Sequence, residues 1–397
     1  MRISTSQIYS QSLNQMNSAL SNVTELNSMT SSQKKINKPS DDPEGMGKVM
    51  ELSSYNQSLS GYIDNCGTAN DYLGQADESL SLASENIAAT MELAEQGASE
   101  TYTQEQLQMM AFEMESYLDS LLTVANSQTG TDSLFAGDDL ESNAYEIGIG
   151  VTLPNDTLTN ADFVSMTGTL DNTTYVRFDE AGTIGTDELD YRYSTDNGET
   201  WTTATLAAGD TTIDTGSVQV ELAIGTSVTA ADGEGNGSEF FLRETAMYIG
   251  SDTSMSVSIS ENTSVDMTSV GSSIFGGVDP TTGTPYPNPN LFEAMSDCIV
   301  YMEMGDYDGV AACLEDISAA HEIVESGAAN IGARENKVTY TEQSLSVAKA
   351  LTDNSISREE DADAAQLIVE LEQANYVYEA VLNSSADIMR MSLLDYI

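Results

Sequence analysis

The chain has 397 residues, enough for two or three domains, and carries 64 acidic against 13 basic side chains, a formal net charge of −51. That charge repels nucleic-acid phosphates and anionic membrane surfaces, so neither is an expected partner. No apolar run approaches the length of a membrane span, and the first 20 residues lack the continuous apolar stretch of a secretory signal.

The first 33 residues predict an amphipathic helix rich in Ser, Asn and Gln, which would be marginal without a packing partner. Its apolar positions recur at spacings of four and three: Tyr9, Leu13, Met16, Leu20, Val23, Leu26 and Met29. The segment KPSDDPEG then predicts a stop and a new start, with Asp42 as N-cap, Pro43 at the first helical position and Glu44 in the first turn.

A second helix carries one apolar stripe at alternating steps of three and four, which is typical of a coiled coil. The stripe comprises Leu52, Tyr55, Leu59, Tyr62, Cys66, Ala69, Leu73, Ala76, Leu80, Ala83, Ile87, Thr90 and Ala94, with Thr90 as its only break. A third helix follows Thr103, which with Gln106 predicts a capping box. The short connection implies that the two helices form an antiparallel hairpin.

From about residue 141 the pattern changes to short β-prone runs separated by Gly, Asp, Asn and Thr. The turn Asp196-Asn197-Gly198 between two such runs predicts a β-hairpin. The segment reads as one all-β insert or two small modules, and a Pro/Gly-rich stretch closes it near residue 290. Because no heptad position falls inside it, we expect the insert to be dispensable for the helical rod.

Helical spacing returns at Leu291, breaks at Gly305-Asp306 and resumes over 310–348. Ser357 and Glu360 predict a second capping box that would begin the last helix. The predicted fold class is mainly α with an all-β insert, in which both chain ends form a long antiparallel coiled-coil rod. The predicted domains are an N-terminal assembly helix at 1–44, a first rod half at 45–140, the β-rich insert at 141–290, a second rod half at 291–352 and a C-terminal assembly helix at 353–397.

Residues for catalysis, metal binding or a cofactor are not evident in this sequence. His321 is the single histidine, and no Gly-rich phosphate loop, zinc spacing or nucleophile elbow occurs. Cys66, Cys298 and Cys313 fall at apolar helical positions, which favours buried thiols over a disulfide. The segment 232–237 resembles half of a calcium loop, but Arg243 stands where the closing Glu belongs, which favours a solvated loop.

The helical ends resemble a known family. The stretches that carry the resemblance are MRISTSQIY, INKPSDDPEGMGKVMEL, SLFAGDDLESNAYE, IGARENKV and MRMSLLDYI. They are similar to the hook-associated protein 3 family, the hook–filament junction proteins of the flagellin-like superfamily. The resemblance covers both helical arms, about 1–145 and 290–397, and leaves out most of the β insert.

The resemblance implies a structural subunit of the bacterial flagellum, extracellular and secreted without a cleaved signal peptide through the flagellar type III export apparatus. Implied partners are hook-associated protein 1, flagellin, further copies of the chain in a helical ring, an export chaperone and the export apparatus, with no cofactor. Two alternatives stay open. One is a flagellin filament subunit, and the other is an extracellular adhesin whose insert binds a glycan or calcium.

The stripes of the two ends lack enough local partners to be buried, so we expect them to order by packing on neighbouring subunits. The predicted assembly interface is Ile3, Tyr9, Leu13, Met16, Leu20, Val23, Leu367, Leu371, Tyr378, Val381, Ile388, Leu393, Leu394, Tyr396 and Ile397. The turn of the family motif comprises Pro39, Ser40, Asp41, Asp42 and Pro43.

Overall fold

The computed structural model describes residues 5–170, 172–232, 236–287 and 289–394, without the side chains of 5, 6 and 388–394. The α-helices of these residues are α1 Thr5–Ser32, α2 Pro43–Gly97, α3 Gln104–Ala125, α4 Leu291–Met304, α5 Tyr307–Glu360 and α6 Ala364–Leu394. The strands are β1 Gln128–Thr129, β2 Asp132–Ser133, β3 Tyr145–Thr152, β4 Phe163–Gly168, β5 Thr174–Phe178, β6 Gly182–Thr183, β7 Leu189–Ser194, β8 Thr202–Leu206, β9 Thr212–Asp214, β10 Val218–Leu222, β11 Ser227–Val228, β12 Glu239–Tyr248, β13 Ser256–Ser260 and β14 Thr263–Asp266. The predicted fold class, helical ends around an antiparallel β insert, is confirmed.

The residues form two compact units, which we call the terminal unit and the central unit. The terminal unit comprises Met1–Asp64 and Glu342–Ile397, and the central unit comprises Asn65–Thr341. The helices α2 and α5 each contribute one part to each unit.

In the central unit, the predicted stripe of α2 is the core of the helical part. The stripe positions Cys66, Ala69, Leu73, Ala76, Leu80, Ala83, Ile87, Thr90 and Ala94 are all buried, as are Ser79 and Leu93 beside the stripe. Thr90 can be buried because its hydroxyl donates a hydrogen bond to the Asn86 carbonyl at 2.9 Å within the helix. On α5, the buried positions are Val310, Cys313, Ile317, Ala320, Val324, Ile331 and Val338. The 3-4 spacing therefore predicted the central seam correctly.

Two local signals around α3 are also confirmed. The side-chain carbonyl of Gln106 accepts the backbone N–H of Thr103 at 2.9 Å, as a capping box requires. The amide of Asn86 on α2 donates to the Ser120 hydroxyl on α3 at 3.0 Å, so the two helices pack against each other.

The β insert is built on a five-stranded antiparallel sheet with the order β3-β12-β5-β7-β8 and a smaller sheet with the order β4-β10-β9. Side chains of both sheets share one hydrophobic core, which favours the single insert over two modules. The predicted turn lies between β7 and β8, with positive φ at Asn197 (53°) and Gly198 (88°).

The β insert is not separate from the helices, because α4 packs on it. The Phe292 ring lies 4.9 Å from that of Tyr145 on β3, and Val300 packs with Phe241 on β12 and Tyr175 on β5. Sequence spacing assigned α4 to the rod because a helix that covers a sheet has the same period as one that pairs with a helix.

The predicted second capping box is also wrong. Helix α5 continues through Ser357 to Glu360, and α6 begins after Asp363, whose carboxylate accepts the backbone N–H of Ala365 at 2.9 Å and of Gln366 at 3.2 Å. The polar stretch 353–357 has no Pro or Gly. Its Ser and Asn side chains bond back to carbonyls one turn earlier, so the helix accommodates them.

Candidate assembly surface

The two end helices, α1 and α6, pack on each other in the terminal unit. Toward the start of α1 and the end of α6, the hydroxyls of Ser12 and Ser385 form a buried hydrogen bond of 2.6 Å. A polar pair in this position fixes one alignment of the two helices, because a shift along the axis would leave both hydroxyls without a partner.

The predicted stripes face this contact, but they are only partly covered. On α6, Leu367 is 6% exposed, while Leu371, Tyr378 and Val381 are half-buried. On α1, Leu13, Met16 and Val23 are half-buried, whereas Tyr9 and Leu20 remain 47% and 45% exposed. Tyr55, predicted in the α2 stripe, is 52% exposed in the same unit. The stripes of the two ends are therefore only partly buried within one chain, and their role as an assembly interface stays a prediction.

Six predicted interface residues have no described side chain. Ile3, Tyr396 and Ile397 lie outside the described residues, and the side chains of Ile388, Leu393 and Leu394 do as well. Residues 233–235 of the acidic loop considered for calcium also lie outside them.

Short backbone pairing closes one end of the helix pair, where α1 ends and α6 begins. The N–H of Lys35 donates to the Glu360 carbonyl at 2.8 Å, and the N–H of Ala362 donates to the Gln33 carbonyl at 3.0 Å. The Lys34 ammonium adds an ion pair to the Glu360 carboxylate at 2.7 Å. We call these contacts the clasp. The sequence did not predict it, since apolar spacing does not pair residues more than 320 positions apart.

The family-motif turn is explained by its own hydrogen bonds. One Asp41 oxygen accepts the backbone N–H groups of Asn37 and Lys38, at 3.1 and 2.8 Å, which closes a loop with Pro39 and Ser40 exposed. Asp42 caps α2 by accepting N–H groups at 3.1 and 3.0 Å, and Pro43 is the first helical residue, as predicted.

Gly45 completes this turn. A Cβ there would lie 2.5 Å from a carboxylate oxygen of the capping Asp42 and 2.8 Å from the end of the buried Ile36 side chain, so a larger residue would require both side chains to shift. The turn therefore sets the path of the chain from α1 into α2, and we assign it this structural role.

Helix α6 also exposes large apolar side chains outside the predicted stripe. Ile368, Val369, Tyr376 and Val377 are 51%, 63%, 75% and 47% exposed. At about 100° per residue, Val369 and Tyr376 point away from the covered face of Leu367 and Ala374. We call Val369 and Tyr376 the open face of α6, whereas Val377 lies toward the groove beside α1.

A groove of about 920 Å³ lies between the two helices, lined by Val377 and Val381 of α6 and by polar side chains of α1 such as Gln11, Asn14 and Ser18. Helix α1 carries a single charged residue, Glu25, in a chain whose net charge is −51. Close packing of several copies of this helix would therefore bring few like charges together.

The described residues do not form a catalytic relay around His321. Its Nε2 lies 2.8 Å from the Ser84 hydroxyl and 3.8 Å from a Glu325 carboxylate oxygen, so both partners face the same ring nitrogen. A nucleophile–base–acid relay needs them on opposite nitrogens. The described residues also contain no cluster of three or more potential metal ligands, and no described helix is long and apolar enough to cross a membrane.

Comparison with known proteins places both ends of the chain in one family. Residues 3–139 match the bacterial flagellin N-terminal helical region, and residues 314–397 match the bacterial flagellin C-terminal helical region. Together the two regions take in more than half of the chain. No curated relative matches the sequence.

Solved structures agree with this at the level of fold. A flagellar hook-associated protein from Vibrio parahaemolyticus matches with a TM-score of 0.50 at 15% identity, over 81% of this chain and 100% of that one. FlgL of Bacillus cereus (TM-score 0.43, 11% identity, 78% and 99% covered) and flagellar hook-associated protein 3 of Legionella pneumophila (0.39, 12%, 78% and 98%) are also similar. With the α1–α6 pair, the motif turn and both terminal regions in place, the chain belongs to the bacterial flagellin family, whose members are structural components of the flagellum.

Proposed function

We propose that this chain is the hook–filament junction subunit of a bacterial flagellum, the role of hook-associated protein 3. The observation that carries the proposal is the open face of α6. Helix α6 is covered by α1 on one side and exposes Val369 and Tyr376 on the opposite side, where packing against neighbouring subunits would cover them.

The opening and closing peptides of the sequence support the junction role within the flagellin family. In this proposal α1 and α6 form the inner core of the assembly, and the β insert lies outside. The partners are further copies of the chain, hook-associated protein 1 on the hook side and flagellin on the filament side. An export chaperone and the type III apparatus deliver the chain to the extracellular flagellum, and its role is structural and not catalytic.

The test is complementation of a strain from which the gene has been deleted. We expect the deletion to leave hooks without filaments and to release flagellin into the medium, and the wild-type gene to restore filaments and motility. Tyr376→Asp and Val369→Asp place a carboxylate on the open face of α6, so we expect neither to restore filaments. Because both side chains are largely exposed, circular dichroism of the purified variants should match that of the wild type.

Ile224→Asp is the matched control, since Ile224 is 80% exposed and lies in the insert. We expect it to restore motility as well as the wild type does. Filaments that persist in the deletion strain would contradict the junction role, and full rescue by Tyr376→Asp would contradict the assembly surface.

Flagellin itself is the second candidate, because the matched family regions are described as those of flagellin. The two roles differ in what the purified chain does alone. A flagellin polymerises into long filaments, whereas a junction subunit forms at most short assemblies, and electron microscopy of the concentrated chain distinguishes them.

A further inference from the structure

Two of the three cysteines meet where α4 turns into α5. Gly305, in the left-handed conformation with φ of 75°, ends α4, and the Asp306 N–H bonds the Tyr301 carbonyl at 2.9 Å to complete the reversal. Cys298 lies seven residues before Gly305, and Cys313 lies seven residues after Asp306. Positions equally far from such a turn face each other across the two helices.

The side chains confirm this placement. Cys298 is 0% and Cys313 4% exposed, and their thiols are joined by a hydrogen bond. The two thiols are therefore buried neighbours across the turn in the reduced protein. Cys66 is buried elsewhere, on α2, so the two thiols of this turn form a selective pair.

We propose that Cys298 and Cys313 form a disulfide when the chain folds in the presence of a low-molecular-weight disulfide such as oxidised glutathione. One cysteine thiolate attacks the small disulfide, which forms a mixed disulfide and releases one small thiolate. The second cysteine thiolate attacks the protein sulfur of the mixed disulfide and displaces the other. The two protein thiols are thereby oxidised, the small disulfide is reduced to two thiols, and the two protons go to these.

The disulfide would link α4, which packs on the β insert, to α5. Helix α4 carries the insert through Phe292 and Val300 and through the Glu293–Arg243 ion pair, and α5 carries the long buried seam. A covalent link across the turn would hold the base of the insert on α5. The inference concerns the isolated chain and does not depend on the flagellar role.

The timing follows from the surroundings of the thiols. The contact with Cys298, together with burial, raises the pKa of Cys313, so the thiolate that must attack is scarce once the pair is folded. Oxidation should therefore be fast during refolding and slow in the reduced native protein.

The experiment refolds the full chain with oxidised and reduced glutathione, blocks free thiols in denaturant and maps peptides by mass spectrometry. We expect one crosslinked peptide that joins Cys298 to Cys313, with the loss of two hydrogen atoms, and one blocked thiol at Cys66. Cys66→Ser should keep the crosslink, and Cys313→Ser should lose it. The unfolding temperature should fall by on the order of 5 °C when wild type is reduced, and the Cys313→Ser protein should not respond.

Three blocked thiols after refolding in oxidised glutathione would overturn the proposal. So would a crosslink that involves Cys66 as often as the other two cysteines. Because the mapping is done on the wild-type chain, the result does not depend on whether a variant folds.

Discussion

The central unit and the terminal unit use the same 3-4 apolar spacing and reach different degrees of burial. In the central unit, Leu73, Leu80 and Ile87 of α2 are fully buried. In the terminal unit, Tyr9 and Leu20 of α1 remain almost half exposed on the predicted stripe. The spacing identifies the apolar face of a helix, and the number of elements that pack on that face determines how far it is buried.

Charges show the same difference. In the central unit, the Arg243 side chain is 3% exposed and meets Glu293 at 3.0 Å and Asp297 at 2.7 Å, and Thr245 donates to Glu293 at 2.6 Å. In the terminal unit, the Lys48–Glu44 pair at 3.3 Å has side chains that are 55% and 85% exposed. The buried charges of the central unit are stabilised by their protein partners, whereas the exposed pair of the terminal unit is solvated by water.

Leu73→Asp should give the largest effect. Leu73 is 0% exposed, so the change removes packing and buries an unpaired carboxylate, which together cost at least about 3–5 kcal/mol of the free energy of unfolding. Chemical denaturation measures the loss. Asp71→Ala, at an exposed position two residues away, should stay within about 0.5 kcal/mol. Equal losses would mean that the central seam is assigned to the wrong face.

Arg243→Met tests the buried charges. It leaves Glu293 and Asp297 without their cation, and we expect a loss of about 3–5 kcal/mol in the free energy of unfolding. The matched change in the terminal unit is Lys48→Met, which should cost less than about 1 kcal/mol because that pair is exposed. Similar losses for the two variants would contradict the contrast between the units.

The Ser12–Ser385 hydrogen bond allows a double-mutant cycle in the terminal unit. Ser12→Ala leaves the buried Ser385 hydroxyl without its partner and should cost about 1–2 kcal/mol, read as faster amide exchange in α1 and α6. The double variant, with Ser385→Ala as well, should recover most of this loss. An additive double variant would show that the two hydroxyls do not act as a pair.

Glu303→Gln should give a small effect that depends on pH. Burial raises the pKa of Glu303 on α4, so the folded chain disfavours its ionised form. The wild type therefore loses stability relative to the variant as the pH rises from about 4 through the raised pKa, and the difference vanishes in acid. Thermal unfolding from pH 4 to 8 measures it, with exposed Glu322→Gln as the charge-matched control. A difference that is greatest in acid would contradict the assignment.

Sequence reasoning recovered the features that depend on local pattern. The buried positions of α2 and α5, the cap at Asp42 and the capping box at Thr103 each follow from spacing or from a residue next to the helix end. Sequence reasoning failed where one sequence pattern is compatible with two different structures. The period of α4 did not reveal that a sheet covers it, and the polar stretch at 353–357 looked like a helix end.

The features of the candidate site that stayed hidden depend on distant contacts. The clasp between Lys35 and Glu360 joins opposite ends of the chain. The open face of α6 could have been noticed from Val369 and Tyr376, which are seven residues apart, but only the packing of α1 shows which apolar face remains uncovered.

The most direct test of the account measures whether the open face of α6 is covered in the flagellum. Tyr376→Cys, placed in a chain whose native cysteines are replaced by Ser, is labelled with a maleimide in the free chain and in isolated flagella. Ile224→Cys on the insert is the control. The account predicts rapid labelling of both in the free chain, and strongly slowed labelling of Tyr376→Cys, but not of Ile224→Cys, in flagella. Labelling of Tyr376→Cys at the same rate in both states would contradict the claim that the end helices form the assembly surface.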